Sequence, residues 1–228
     1  MMTLMNNAQL KKFLRDRNVL YLYHANTVAT SCTFFENGGL LSRGTAEDRG
    51  LFQTPQETDE RDKQVDVFYD LFFDSIDIHR RKRNLNHYGP VMFVYSIDLI
   101  DSLPEDSIRI TKDNPIRWHF GMTEAEKYFL SEDELKIGFA KGHFTQHFTI
   151  RHQMEPLSFK YLRKIVLDDP GVEDTRYFEN AHQHLQKLIE QYAPTVSLEV
   201  RQCPPECGCQ EQYRSHRIGY VYHRFKTK

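Results

Sequence analysis

No stretch of the 228-residue chain approaches the ~20 consecutive apolar residues needed to cross a bilayer, so no membrane partner is expected. Residues 1–18 lack the apolar centre of a secretory leader, being interrupted by Lys11, Lys12, Arg15 and Arg17, and a cytoplasmic location is expected. Internal repeats, low-complexity tracts and Gly/Ser linkers are missing too, which excludes solenoids and flexibly tethered modules. There is no Gly-rich phosphate loop, no His-Glu-x-x-His helix and no nucleophile elbow. The charge has no dominant sign: 30 Lys and Arg stand against 32 Asp and Glu, for a net charge of −2. That excludes a uniformly basic nucleic-acid binder and leaves room for local basic patches.

Cysteine is scarce, with four in the chain, too few for a disulfide framework at this length. Cys32 stands alone, whereas Cys203, Cys207 and Cys209 fall within seven residues, in Cys-Pro-Pro-Glu-Cys-Gly-Cys. Three thiolates with an imidazole from His216 or His223 would make a tetrahedral zinc site. The spacing is not that of a standard knuckle and there is no second cysteine pair. The thiols are therefore expected to be reduced and structural or idle, with no metal assigned.

What the chain does have is aromatic residues, 16 Phe and 12 Tyr, and 39% hydrophobic residues overall. Aromatic burial on this scale offsets the entropy of ordering the chain, so one folded domain over residues 1–228 is expected. Helical periodicity predicts helices over residues 7–17, 27–37 and 175–193, the second closed by Gly38-Gly39 and the third by Pro194. Residues 65–78 carry apolar residues at helical spacing and are read as a long helix, while the polar segment 44–64 reads as an exposed loop. Strands are expected over 19–24, 91–97, 144–153, 164–167 and 196–200, with short segments near 108–110 and 116–118. Strands and helices mix without a βαβ rhythm, which favours an α+β fold over a doubly wound parallel sheet.

Four constellations could carry chemistry. Tyr23-His24-Ala25-Asn26 ends the first strand, where strand pairing would fix the backbone and leave a ring nitrogen for a polar ligand. Arg151-His152-Gln153-Met154-Glu155-Pro156 ends a late strand; on an extended chain Gln153 and Glu155 share a face, with Glu155 at an open rim. Each is also an ordinary structural feature when taken alone. The third is basic and aromatic: Arg80, Arg81, Lys82 and Arg83, then the run from Tyr213 to Lys228 with Arg214, Arg217 and Arg224 and interleaved rings. Cations for phosphate beside rings for bases suit single-stranded nucleic acid, as an unliganded cationic surface also would show. The fourth is the cysteine cluster. The acidic pairs Asp74/Asp77 and Asp168/Asp169 leave open a metal-dependent nuclease, although Asp168-Asp169-Pro170-Gly171 reads more simply as a turn.

Together, His24 with Asn26, the helix leading to Gly38-Gly39-Leu40, and Gln153-x-Glu155 on a late strand resemble the ADP-ribosyltransferase superfamily, most closely its DarT-type nucleic-acid-modifying toxins. The resemblance covers about residues 20–168, a core of 19–168 leaving 169–228 as a C-terminal extension. It implies a split, antiparallel or mixed β-sheet with flanking helices, gripping NAD as substrate. His24 would hold a ribose, main-chain groups near Ala25 and Asn26 the nicotinamide amide, and Arg43 or Arg49 the pyrophosphate, bidentately. Tyr95 or Ser96 would stand for the Tyr of the central motif. Glu155 would be the catalytic carboxylate and Gln153 would position the acceptor, DNA or RNA, with Arg80, Arg81, Arg83, Arg214, Arg217 and Arg224 binding the nucleic acid. A neutralising antitoxin is implied as a partner. The alternative from another class is a non-catalytic nucleic-acid-binding protein built on the basic C-terminal run, with zinc.

Overall fold

The computed structural model describes residues 5–172, 176–204, 206–215 and 218–228. In chain order the elements are α1 (Asn7–Asp16), β1 (Tyr21–Asn26), α2 (Val28–Glu36), β2 (Gly39–Leu40), α3 (Arg43–Asp48), α4 (Asp59–Gln64), β3 (Leu71–Phe73), α5 (Ile78–Lys82), β4 (Val91–Ser96), β5 (Ile108–Ile110), α6 (Glu124–Lys127), α7 (Glu132–Gly138), β6 (Phe148–Ile150), β7 (Leu157–Ser158), β8 (Leu162–Leu167), α8 (Arg176–Tyr192), β9 (Ser197–Val200), α9 (Cys209–Ser215) and α10 (Ile218–Phe225).

All six residues of β4 are buried, as befits an interior strand, and the main sheet forms around it in the order β1-β4-β8-β9. The first two pairings are antiparallel and β8-β9 is parallel, so the sheet is mixed. A second sheet, β3-β6-β5, is antiparallel throughout. The two meet at one bridge, Tyr23 against Asp74, which gives the split arrangement expected of an α+β fold.

Local sequence explains several elements directly. Asn6 and Gln9 form a reciprocal capping box at the start of α1, which buries Leu10, Phe13 and Leu14. Thr27 caps α2, and Gly38 just past its end takes φ +75°, a left-handed conformation that glycine adopts without a Cβ clash.

Other expectations fail for physical reasons. The segment 65–78 is not a helix: Asp66 adopts φ +63°, and Leu71–Phe73 pairs with Phe148–Ile150 instead. Long-range pairing of aromatic and aliphatic side chains overrides the local period. The segment 44–64 is not one long loop, because Ser42 caps α3 and an acidic first turn starts α4. No residue of α4 is buried, so it carries no apolar stripe for periodicity to detect. The late strand expected over 144–153 shrinks to β6, since His152 turns left-handed at φ 49°.

Residues after 169 share the main hydrophobic core. Leu185 and Ile189 of α8, Tyr213 of α9 and Val221 and Phe225 of α10 lie in one cluster with Phe35 and Phe93. The rings of Tyr213 and Phe225 are fully buried, and Tyr222 packs edge-on against Tyr177. Of the rings expected to offer stacking surfaces for bases, Tyr213 and Phe225 are therefore core residues instead.

Candidate active-site cleft

A cleft opens where the two sheets meet. Its walls include Tyr23, His24, Ala25 and Asn26 from β1, Thr30 and Phe34 from α2, and Ser42 and Arg43 at the head of α3. Asp62, Asp70, Phe72, Asp74, Asn86, Tyr88 and His147 complete much of the rest. The ring of His24 sits against Phe34, Phe73 and Phe93, at centroid distances of 5.9, 5.6 and 6.3 Å. Its Nδ1 lies 2.8 Å from the Phe72 carbonyl, a bond in which the ring donates. Desolvation holds its pKa below the ordinary value, so the ring is neutral, and its buried Nε2 has no hydrogen-bond partner among the described residues.

Arg43 lies in the same wall, but its fork is taken. Nε and Nη2 grip the two oxygens of Asp59, and Nη2 also reaches the Thr54 carbonyl at 3.2 Å. Only Nη1 is buried without a partner. The bidentate grip on a pyrophosphate expected of Arg43 is therefore made to an internal carboxylate, leaving one N–H edge for a ligand.

Of the cleft acids, Asp74 enters the sequence reading only as a metal ligand, and Asp62 and Asp70 escape it because they lie on segments read as a loop and a helix. Asp70 accepts from the Thr149 hydroxyl at 2.8 Å and the His152 amide at 3.0 Å, and pairs with Arg151 at 3.2 Å. Burial still pushes its pKa up to about 6. Asp74 faces His147 at 3.2 Å, whereas Asp77 caps α5 and pairs with Arg201 at 2.6 Å. Asp74 and Asp77 are thus committed to different partners, and Asp169 accepts from the Gly171 amide at 2.8 Å. Asp168 likewise pairs with His79 and Arg201.

Burial also pushes Asp62 up to about 6, against a bond from the Thr58 hydroxyl. The folded state binds this proton more tightly than the unfolded chain. Its contribution to stability is complete below about pH 4 and is lost as pH rises through about 6. Asp62→Asn keeps an acceptor for Thr58 and should stabilise the protein by about 1 kcal/mol at pH 7.5, after discounting for partial exposure. Urea unfolding at pH 4, 5.5 and 7.5 tests this; a less stable variant at pH 7.5 would show that the charge is favourable there.

Glu155 is not part of the cleft lining, and its side chain is 80% exposed. It stands next to the wall nonetheless. The Gln153 carbonyl accepts from the hydroxyls of Ser42 at 3.0 Å and Thr45 at 2.9 Å, and Ser42 lines the cleft. Arg49, at the far end of α3, donates to the Met154 carbonyl at 2.9 Å and to Glu155 at 3.0 Å. Arg49 is thus the partner of Glu155, outside the cleft lining, rather than free for a pyrophosphate. Because His152 reverses the chain, Gln153 and Glu155 do not share an extended face; the Gln153 amide folds onto the Glu155 carbonyl at 2.5 Å. Tyr95 is fully buried behind the cleft, its hydroxyl 3.4 Å from the Leu157 carbonyl, and it does not reach the opening.

The expected nucleic-acid contacts fall in two groups. Arg80 and Arg83 project outward, and Arg81 stacks over the half-exposed ring of Phe144 at 3.5 Å. Arg224 donates to the carbonyl of Asn86, a cleft residue, and Arg214 to that of Gly171. Arg217 and His216 lie outside the described residues.

No protein-family model and no curated protein matches the sequence. Solved structures do. A Thermus sp. 2.9 DarT in complex with ADP-ribosylated single-stranded DNA aligns over 81% of this chain and 95% of its own, with a TM-score of 0.52 at 10% identity. The same Thermus protein in complex with NAD+ aligns over 79% of this chain and 96% of its own, with a TM-score of 0.47 at 11% identity. The fold of this chain is similar to that of DarT.

Proposed function

We propose that this chain is an NAD-dependent ADP-ribosyltransferase that attaches ADP-ribose to a base of nucleic acid, with single-stranded DNA as the acceptor. One observation carries the reading: the bare Nε2 of His24 lies in the cleft, and the Gln153 carbonyl, pinned to Ser42, sets Glu155 beside the same wall. The likeness in fold to a DarT bound to ADP-ribosylated DNA supports it.

The cleft fits NAD by what it leaves unsatisfied. The His24 Nε2 and the Arg43 Nη1 are shielded polar atoms without partners, each costing ~1–3 kcal/mol until a ligand meets it. His24 Nε2 is an acceptor for a ribose hydroxyl, and Arg43 Nη1 a donor to a phosphate oxygen. The start of α2, next to Asn26, adds the positive end of a helix dipole. Loss of nicotinamide from NAD leaves oxocarbenium-like charge on the ribose, as in glycoside cleavage. Glu155, oriented by Arg49, is the carboxylate available to stabilise it, and Gln153 positions the acceptor. Tyr88 and Ile116, both exposed at the cleft, supply surface for a base, with Arg80, Arg81 and Arg83 beyond for the strand. An enzyme that marks DNA in a cell's own cytoplasm requires restraint, and a neutralising antitoxin belongs to the same proposal.

The test is incubation with NAD labelled in the adenylate, offered single-stranded DNA, duplex DNA, RNA and protein separately. Label should enter single-stranded DNA. Label only in protein would replace the acceptor, and DNA binding without transfer or NAD hydrolysis would leave a nucleic-acid-binding protein.

A further inference from the structure

Four potential ligands converge around α5, outside the cleft described above. His79, in α5, is 2% exposed, and Cys203, Cys207 and Cys209 come from the loop after β9 and the first turn of α9. The His79 Nε2 lies 3.3 Å from the Cys203 Sγ and 3.3 Å from the Cys207 Sγ. The Cys203 and Cys209 sulfurs are 3.5 Å apart, and all four ligand atoms fall within 4.8 Å of one another. Zn–S near 2.3 Å and Zn–N near 2.0 Å set tetrahedral ligand atoms roughly 3.5–3.8 Å apart, close to this spacing. A disulfide would need sulfurs about 2.05 Å apart, and the cysteines are free.

The surroundings are built as well. The other ring nitrogen of His79 faces the Asp168 carboxylate at 3.2 Å, so Nδ1–H is donated and the Nε2 lone pair points at the sulfurs. Asp168 is itself fixed by Arg201 and by the Tyr213 hydroxyl at 3.4 Å, and Arg201 reaches on to Asp77. Asp77 caps the helix that carries His79. Three thiolates and a neutral imidazole on a divalent ion carry one net negative charge. Arg80, Arg83 and Arg201 line the same groove, although each also pairs with a carboxylate. The fourth ligand was hidden in the sequence because it lies 124 residues before Cys203, just ahead of the basic run.

We propose that His79, Cys203, Cys207 and Cys209 bind one zinc ion in a closed tetrahedral site that clamps the C-terminal segment onto α5. Coordination by three thiolates and one imidazole selects zinc over hard cations, and four protein ligands leave no position for substrate, so the role is structural. The clamp is reinforced by the Gly208 amide on the Arg83 carbonyl at 2.8 Å and the Leu85 amide on Gln212 at 3.0 Å. Ile78, adjacent to His79, and Asn86 both line the cleft, so the ion braces its back wall. This inference does not depend on the transferase reading.

The test is elemental analysis of the untagged full-length chain, purified without chelator from zinc-supplemented medium. About one zinc per chain is expected, falling below roughly 0.2 in His79→Gln and Cys207→Ser. Cys207 is partly exposed, so its variant serves even where a change at buried Cys209 prevents folding. Cobalt exchanged for zinc should give the visible bands of tetrahedral thiolate coordination, lost in both variants. Zinc well below one per chain with no cobalt spectrum, full zinc retention in His79→Gln, or a native Cys203–Cys209 disulfide by intact mass would each overturn the site.

Discussion

Glu155→Gln should bind NAD nearly as well as the parent and transfer ADP-ribose roughly a hundred- to thousand-fold more slowly, the effect of losing one well-placed electrostatic contact to a transition state. The substitution is nearly isosteric and removes only charge. Its partner Arg49 is more than a third exposed, so breaking their pair should change stability by less than about 0.5 kcal/mol. That separates catalysis from folding. A carboxylate that is solvated in the free protein can respond strongly to charge developing on a bound ribose once substrate excludes water around it. Initial rates of label transfer at saturating NAD, with circular dichroism to verify the fold, are the measurement. Turnover within threefold of the parent would remove Glu155 from the chemistry and weaken the transferase reading.

Gly89→Ala should destabilise the protein by about 3 kcal/mol or more, equivalent to ~6–12 °C in Tm for a chain of this size. Gly89 has φ +154°, and a Cβ there would stand 2.0 Å from both the carbonyl carbon and oxygen of Asn26 and 2.4 Å from the Thr27 nitrogen. No side-chain rotation can relieve a clash with backbone. The peptide that must move joins the last residue of β1 to the cap of α2, so the cleft is disturbed as well. Gly38→Ala is the control: its φ is also positive, but nothing lies within 4 Å of the added carbon, so only the local conformational cost of about 1 kcal/mol remains. Thermal melts of the two variants should differ widely. Equal shifts would mean that Gly89 does not press on Asn26.

The sequence made legible those parts whose cause is local. The capped α1 and α2, the mostly apolar β4 and the strand ending near His24 and Asn26 all appear near their expected places. β3 was not legible, because Leu71–Phe73 becomes a strand only when β6 arrives from 75 or more residues away. Half of the cleft followed its fate: Asp62, Asp70 and Asp74 ride on the misread segment, and no spacing rule links them to His24. Arg43 lines the cleft, and its engagement with Asp59 depends on where α4 lands, which no local spacing reveals. His79 shows the same limit, an ordinary residue among arginines until the chain returns with three cysteines.

The bridge between Tyr23 and Asp74 also bears on how the cleft can move. Across it run two main-chain hydrogen bonds, of 3.0 and 2.9 Å, joined by the His24 bond to Phe72. Inside the main sheet, by contrast, β1 and β4 pair through six consecutive residues. At a net ~1 kcal/mol per bond, the seam carries roughly 3 kcal/mol of hydrogen bonding, and Phe73 adds apolar contact across it against His24 and Tyr95. The shared core under the seam couples the two sheets, so the cleft's two lips are held by packing as much as by the bridge. A ligand that meets His24 on one lip and the β3 side on the other acts as a staple across that seam. Part of its binding free energy then resides in the stillness it imposes on the two half-sheets.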